Sequence, residues 1–127
     1  MKTKFFSTNG CPIVFATVTG PRGALHLNML VDTGASYSSL NSVVLAEIGV
    51  EIAATQAVIV SATSVAQVNT AYVNRLAALG VEDENMRIVV LDFPEGTVRI
   101  DGILGVDFFS NKKLAIDFKK HTIEVKA

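Results

Sequence analysis

The segment Leu30-Val31-Asp32-Thr33-Gly34-Ala35-Ser36 contains the residues whose types and order are best suited to chemistry. An acidic residue follows an apolar, strand-like run, and a glycine comes two residues later. A carboxylate at the end of an apolar strand is costly to remove from water unless it is paired or used. The segment therefore predicts a functional carboxylate at Asp32.

A single carboxylate supplies only part of the rate that peptide hydrolysis requires, whereas two carboxylates can divide the work. Like charges a few ångströms apart cannot both ionise, so such a pair shares one proton. The ionised member then takes a proton from water, and the protonated member polarises the substrate carbonyl. The motif occurs once in 127 residues. We therefore expect the second carboxylate to come from Asp32 of a second copy, across a two-fold axis.

The residues after Asp32 suit a loop that lies close to its symmetry mate. Gly34 allows a sharp turn and a close approach, and the Thr33 hydroxyl can hydrogen-bond to the other loop. Ala35 adds no bulk, and Ser36 can support the loop from behind. Because Ala35 cannot donate a hydrogen bond to the carboxylates, we expect activity to extend toward weakly acidic or neutral pH.

A β-hairpin is predicted to bring Asp32 to its position. The run from Ile13 to Thr19 is rich in β-branched residues, and Gly20-Pro21-Arg22-Gly23 is a turn sequence. The next strand alternates and leads directly into Asp32. The residues that share one of its faces are Leu25, Leu27, Met29 and Val31.

The rest of the chain is also predicted to be mostly strands. A short helix, capped by Asn41 or Ser42 and ended by Gly49, is the clearest exception, and residues 106–111 are compatible with one or two helical turns. Further strands are predicted at 56–60, 66–76, 86–91, 114–118 and 123–125, with a solvated loop at 82–85 and a terminal hairpin turn at Lys119-Lys120. We therefore predict an all-β fold in a single domain over residues 1–127, with one or two short helices.

Composition argues against several classes of function. The chain has 11 Lys and Arg against 12 Asp and Glu, a net charge of −1 and no basic cluster, so nucleic-acid binding is not expected. Cys11 is the only cysteine, which excludes an internal disulfide and fits a reducing compartment. We see no signal peptide and no membrane span. A cytoplasmic protein, or a domain of a larger one, is expected.

Most of the other polar residues have simple structural explanations. Asp101 is expected to lead into a turn. Three further aspartates are expected on exposed faces or as caps of short elements: Asp92, Asp107 and Asp117. His26 and His121 are isolated in the sequence, so no metal site is expected, and no motif indicates a cofactor.

Two segments resemble the signatures of one family, the retropepsin-like (retroviral-type, clan AA) aspartic proteases. Asp32-Thr33-Gly34-Ala35-Ser36, preceded by Leu30-Val31, resembles their active-site loop. Ile103-Leu104-Gly105, followed by Val106-Asp107-Phe108-Phe109, resembles the apolar-apolar-glycine segment that lies beside that loop. The closing hairpin that begins at Leu114 resembles bacterial and retroelement members. Together these features span roughly residues 12 to 125.

The resemblance implies a single-lobe closed β-barrel of the acid protease type that is active as a homodimer. It implies that Asp32 is catalytic. The residues that it implies as support for the active-site loop are Thr33, Gly34, Ala35, Ser36, Ile103, Leu104 and Gly105. It further implies a flap that closes over a peptide bound in extended conformation, and the flap residues would be Ser61, Ala62, Thr63 and Ser64.

The expected function is therefore that of an aspartic endopeptidase, with no cofactor. The alternative is a catalytically silent retropepsin-like module that serves for dimerisation or peptide binding. The absence of glycine from the expected flap tip, Ser61 to Ser64, favours this alternative.

Overall fold

A computed structural model describes residues 1–60, 63–93 and 99–127 of the chain. Among these residues it contains eleven strands and one helix. The elements are β1 (Lys2–Lys4), β2 (Phe6–Thr8), β3 (Cys11–Gly20), β4 (Gly23–Val31), β5 (Ser39–Leu40), α1 (Ser42–Glu47), β6 (Ala53–Val60), β7 (Val65–Ala78), β8 (Val81–Val90), β9 (Gly102–Leu104), β10 (Lys113–Asp117) and β11 (Thr122–Lys126). The predicted all-β class is confirmed.

The larger sheet has the strand order β2-β3-β4-β9-β5-β8-β7-β6, and β3 also pairs with β7. The pairings therefore form a closed circuit of six strands, from β3 through β4, β9, β5 and β8 to β7 and back to β3. Side chains that face the inside of this circuit form the core, which includes Val18, Met29, Leu76, Ile88 and Leu104. Strand β6 is at the end of the order, and among the described residues it pairs only with β7.

The hairpin that precedes Asp32 forms as predicted. β3 and β4 pair in antiparallel register from Ile13 opposite Leu30 to Gly20 opposite Gly23, so Pro21 and Arg22 make the turn. The alternation in β4 is also as predicted, because Leu27, Met29 and Val31 are all buried. This alternation brings Asp32 to the end of a strand whose inner face belongs to the core.

The predicted helix is present as α1. Asn41 is its N-cap, and the Asn41 side-chain oxygen accepts a hydrogen bond of 2.8 Å from the backbone N–H of Val44. Val44 and Leu45 are buried against the core, and Gly49 ends the helix with a φ of +77°. Within the described ranges, no helix has the length and apolar character needed to cross a membrane.

Residues 82–85, which the sequence predicts to be a solvated loop, lie within strand β8. The turn is instead at Leu79 and Gly80, which both have positive φ and join the paired residues Ala78 and Val81. The acidic residues are accommodated in a strand because Glu82 and Glu84 are exposed and the half-buried Asp83 forms an ion pair with Lys112. Glu82, for example, forms an exposed ion pair with Arg75 of β7 at 3.6 Å.

Residues 106–111 form a series of turns rather than a helix. The backbone N–H groups of Phe108 and Phe109 donate to carbonyls three residues earlier, those of Gly105 and Val106. These bonds close short turns, so the second predicted helix does not form. The buried rings of Phe108 and Phe109 anchor the segment in the core, with their centroids 5.3 Å apart.

A smaller sheet has the order β1-β11-β10. β10 and β11 form the terminal hairpin that the sequence predicts, and Lys119 and Lys120 lie in its turn. The backbone N–H groups of Lys120 and Lys119 both donate to one Asp117 oxygen, and the bond from Lys120 is the main cause of the lowered pKa of this exposed carboxyl. Strand β1 adds to the other side of β11, with Thr3 opposite Ile123.

Candidate active site

The two motifs that the sequence identifies lie side by side. Strand β9 runs parallel to β4, with Leu30 opposite Ile103 and Val31 opposite Leu104. The backbone N–H of Asp32 then donates to the carbonyl oxygen of Leu104 at 3.0 Å. Asp32 is therefore fixed directly to the Ile103-Leu104-Gly105 segment, although 71 residues of sequence lie between Asp32 and Leu104.

Gly105 permits this close contact between the two segments. A Cβ atom added at Gly105 would lie 2.8 Å from the backbone oxygens of Ala35 and Tyr37. On its other side the segment is tied by the N–H of Val106, which donates to the Ala35 carbonyl at 2.9 Å. Any side chain at this position would push the active-site loop away from β9.

The active-site loop turns around the Asp32 carboxylate itself. One Asp32 oxygen accepts a 2.9 Å bond from the N–H of Gly34, and the Asp32 carbonyl accepts from the N–H of Ala35 at 3.1 Å. Gly34 does not have a positive φ. Its lack of a side chain matters for space, because an added Cβ would lie 3.1 Å from Asp32 Oδ1.

A second carboxylate, Asp107, supports the loop from the inside of the molecule. Its oxygens accept bonds of 2.9 and 3.0 Å from the N–H of Ser38 and one of 2.7 Å from the Ser38 hydroxyl. The Ser38 hydroxyl in turn accepts from the N–H of Gly105 at 3.0 Å. Ser38 is fully buried, so these bonds satisfy polar groups that water does not reach.

The role of Asp107 toward the site is one that sequence reasoning missed. Asp107 also accepts a 2.8 Å bond from the N–H of the next residue, Phe108. The bonds to Ser38, however, span 69 residues. In the sequence, the only indication of this role is that Asp107 lies two residues after Gly105, and this spacing does not identify Ser38 as the partner.

A cleft of about 570 Å³ opens next to Asp32. Its walls are mainly aliphatic, and Asp32 is the only carboxylate among the described residues that line it. The lining residues are Asp32, Gly34, Ala35, Ser36, Tyr37, Ser39, Val58, Ile59, Val60, Val89, Leu91 and Ile103. The end of strand β6 therefore lines the same cleft as the carboxylate.

The hairpin of β6 and β7 is where the flap is expected. Val60 pairs with Val65, so residues 61–64 connect the two strands. Ser61 and Ala62 lie outside the described residues, and Thr63 and Ser64 are exposed. Val60, which is 75% exposed, is the flap-proximal residue that lines the cleft.

The other predicted loop residues divide between the surface and the core. Thr33, Gly34 and Ser36 are exposed, and the Thr33 hydroxyl makes no hydrogen bond to the described part of the chain. Leu104 is fully buried. Val106, bonded through its backbone to Ala35, has an exposed side chain beside the loop.

The model of a protein family described as aspartyl protease matches residues 14–108. The chain belongs to the aspartyl protease family. The match includes both Asp32 and the Ile103-Leu104-Gly105 segment, and it confirms the family membership that these two motifs indicate.

The fold of this aspartyl protease family member is similar to a known crystal structure. That structure is of a retropepsin-like aspartic protease from Rickettsia conorii, and the TM-score is 0.68. The similarity covers 99% of this chain and 91% of that one, at 21% sequence identity. It confirms the retropepsin-like fold. No curated protein sequence matches the chain at a significant level.

Asp101 is a buried carboxylate of the aspartyl protease chain that does not line the Asp32 cleft. It accepts bonds of 3.0 Å from the N–H of Asn28 and 2.9 Å from Nε of Arg99. Its own carbonyl accepts from the N–H of Asn41 at the start of α1. Asp101 thus ties β4 to the helix, and it does not serve as an internal partner for Asp32.

Proposed function

We propose that the protein is an aspartic endopeptidase whose active site contains Asp32 from each of two identical subunits. The observation that carries this proposal is the cleft itself. A single carboxylate, anchored by Leu104 and Gly34, lies at an aliphatic cleft that contains no second acid among the described residues. Hydrolysis by this chemistry needs two carboxylates.

A second copy would complete the site from the exposed side of the loop. Thr33 and Gly34 are exposed there, and the side chain of Val106 is 44% exposed beside them. These exposed groups are therefore accessible to a second copy. In a two-fold dimer the same patch meets itself, so both Asp32 residues come to one axis.

The reaction follows from this pair of carboxylates. One Asp32 is ionised and takes a proton from a water molecule as the water oxygen attacks the carbonyl carbon of the peptide. The other Asp32 is protonated and donates its proton to the carbonyl oxygen. The tetrahedral intermediate then breaks its C–N bond. The leaving amine takes a proton from the carboxyl that is now protonated, and the ionised carboxylate takes one from a hydroxyl of the intermediate, so the pair again shares one proton. No metal, cofactor or covalent intermediate takes part.

The substrate is a peptide in extended conformation. It would lie between the loop of Asp32 and the end of strand β6, where Val58 and Val60 face the cleft. β6 is an edge strand, so its outer backbone groups are available to pair with a peptide. Residues 61–64 would then act as the flap that closes over the peptide and excludes water.

The test is digestion of an unstructured protein by wild-type protein and by Asp32→Ala, with sedimentation of both. We expect a dimer in both cases and cleavage by the wild type alone. Peptide binding by the dimer without cleavage at any pH would overturn the proposal and favour a silent binding module. Cleavage by Asp32→Ala would exclude Asp32 as the catalytic residue.

Ala35→Ser is expected to move the pH–rate profile by about one pH unit toward acid. A hydroxyl beside the carboxylates would donate a hydrogen bond to the ionised form and favour it. Each proton would then be lost at lower pH, so the singly protonated pair would be populated in a more acidic range. The measurement is kcat/KM against pH, with Ala115→Ser on exposed strand β10 as the matched control. An unchanged profile would show that position 35 does not face the carboxylates.

A further inference from the structure

A second groove is bordered by Tyr37, which also lines the Asp32 cleft. Its volume is about 370 Å³. Tyr37 lines both the cleft and this groove, so the two share a wall. The residues that line the groove are Tyr37, Asp83, Glu84, Met86, Arg87 and Asp107. An extended peptide that leaves the cleft past Tyr37 would place one of its outer residues in the groove.

Arg87 is the cation of this groove. Its guanidinium carbon lies 5.9 Å from the centroid of the Tyr37 ring, a distance at which the ring attracts the cation. Arg87 is exposed and forms no ion pair with any described residue. A guanidinium presents its N–H donors in a planar fork that matches a carboxylate.

Two of the three acids in the groove already have partners. Asp107 accepts bonds from Ser38 and Phe108, and Asp83 lies 3.4 Å from Nζ of Lys112. The third, Glu84, is exposed and lies opposite Arg75 in the pairing of β7 with β8, but Arg75 forms its ion pair with Glu82. Among the described residues that line the groove, Arg87 is the only cation, and no acid of the groove forms an ion pair with it.

We propose that Arg87, which lies over the Tyr37 ring, is a specificity-determining residue that binds an acidic side chain of the peptide substrate. This rests on the proposed function, because it assigns one end of the same cleft. A strand advances by about 3.3 Å per residue, so the acidic residue stands a few positions from the scissile bond. In a two-fold dimer the Tyr37–Arg87 pair occurs at both ends of the cleft, so acidic residues are favoured on both sides.

The first experiment compares peptides that differ only in charge. A single Glu is placed at the second, third or fourth position on either side of the scissile bond, with matched Gln and Lys peptides. At one of these positions kcat/KM should be about fivefold higher for Glu than for Gln at low ionic strength, and lower for Lys than for Gln. The preference should weaken as salt is added, since the pair is exposed.

Variants of Arg87 test the assignment itself. Arg87→Gln should bring the Glu-to-Gln ratio to about one, and Arg87→Glu should reverse it in favour of Lys. Arg75→Gln is the matched control, because Arg75 is an exposed arginine of the neighbouring strand that lines neither the cleft nor the groove. It should leave the ratio unchanged.

The outcomes separate this proposal from the proposed function. If every peptide is hydrolysed and Arg87→Gln does not alter the ratio of kcat/KM between the Glu and Gln peptides, the role of Arg87 alone is overturned. Absence of hydrolysis by the wild type would overturn the proposed function. In that case the role of Arg87 is tested by the affinities of the same peptides for the Asp32→Asn protein, since binding needs no turnover. Equal affinities for the Glu, Gln and Lys peptides would overturn the role of Arg87.

Discussion

Asp32→Asn is expected to lower kcat/KM for peptide hydrolysis by about 1,000-fold or more, with the fold and the dimer retained. The amide has almost the same shape as the carboxylate, and its oxygen can still accept the 2.9 Å bond from the N–H of Gly34. The bond from the Asp32 N–H to Leu104 involves only backbone atoms and is unaffected. The variant removes the ionised group that takes a proton from water, and the loop keeps its position.

Mixing the variant with wild-type protein tests whether the site is shared between two subunits. Random association of equal amounts places half of the wild-type chains in mixed dimers, so activity per wild-type chain should fall by about one half. A tenfold excess of variant should lower it by about tenfold. A catalytic site contained within one chain would keep full activity at every ratio, and sedimentation confirms that the chains exchange.

Local sequence rules were sufficient to predict the secondary-structure elements that position Asp32. Alternation in β4 and the turn sequence that starts at Gly20 predict the first hairpin, and Asn41 and Gly49 predict the bounds of α1 because caps are local chemistry. The prediction failed at Glu82–Asn85, where polarity suggested a loop. An antiparallel strand with one solvated face can carry such residues, and the turn uses Leu79 and Gly80 instead.

The contacts that hold the site together could not be read from the sequence in the same way. Asp32 meets Leu104 through parallel pairing of β4 with β9, and only the family resemblance linked the two segments. Asp107 meets Ser38 across 69 residues, and no periodicity connects a carboxylate with a distant buried serine. The contact between Gly34 and the Asp32 side chain was also not predicted: a Cβ at Gly34 would lie 3.1 Å from Asp32 Oδ1, and its φ is not positive.

Asp107→Ala is expected to lower the free energy of unfolding by about 3 kcal/mol and to reduce peptidase activity even where the protein is fully folded. The truncation leaves the buried N–H and hydroxyl of Ser38 without their acceptor. Because the Ser38 hydroxyl also holds the N–H of Gly105 at 3.0 Å, the contact between the loop and β9 loosens. Asp107→Asn keeps one acceptor oxygen and should lose only about 1 kcal/mol.

Asp92 provides a matched control for Asp107, because each of the two carboxylates accepts bonds from the N–H and the hydroxyl of one serine. The partner of Asp92 is Ser42, at the start of α1. Asp92 is exposed and does not line the cleft. Asp92→Ala should therefore lose about 1 kcal/mol as a helix cap does, with kcat/KM unchanged. Denaturant unfolding measures the stabilities, and kcat/KM is measured well below the melting temperature of each variant. Equal activity losses in the two alanine variants would mean that Asp107 stabilises the fold without positioning Asp32.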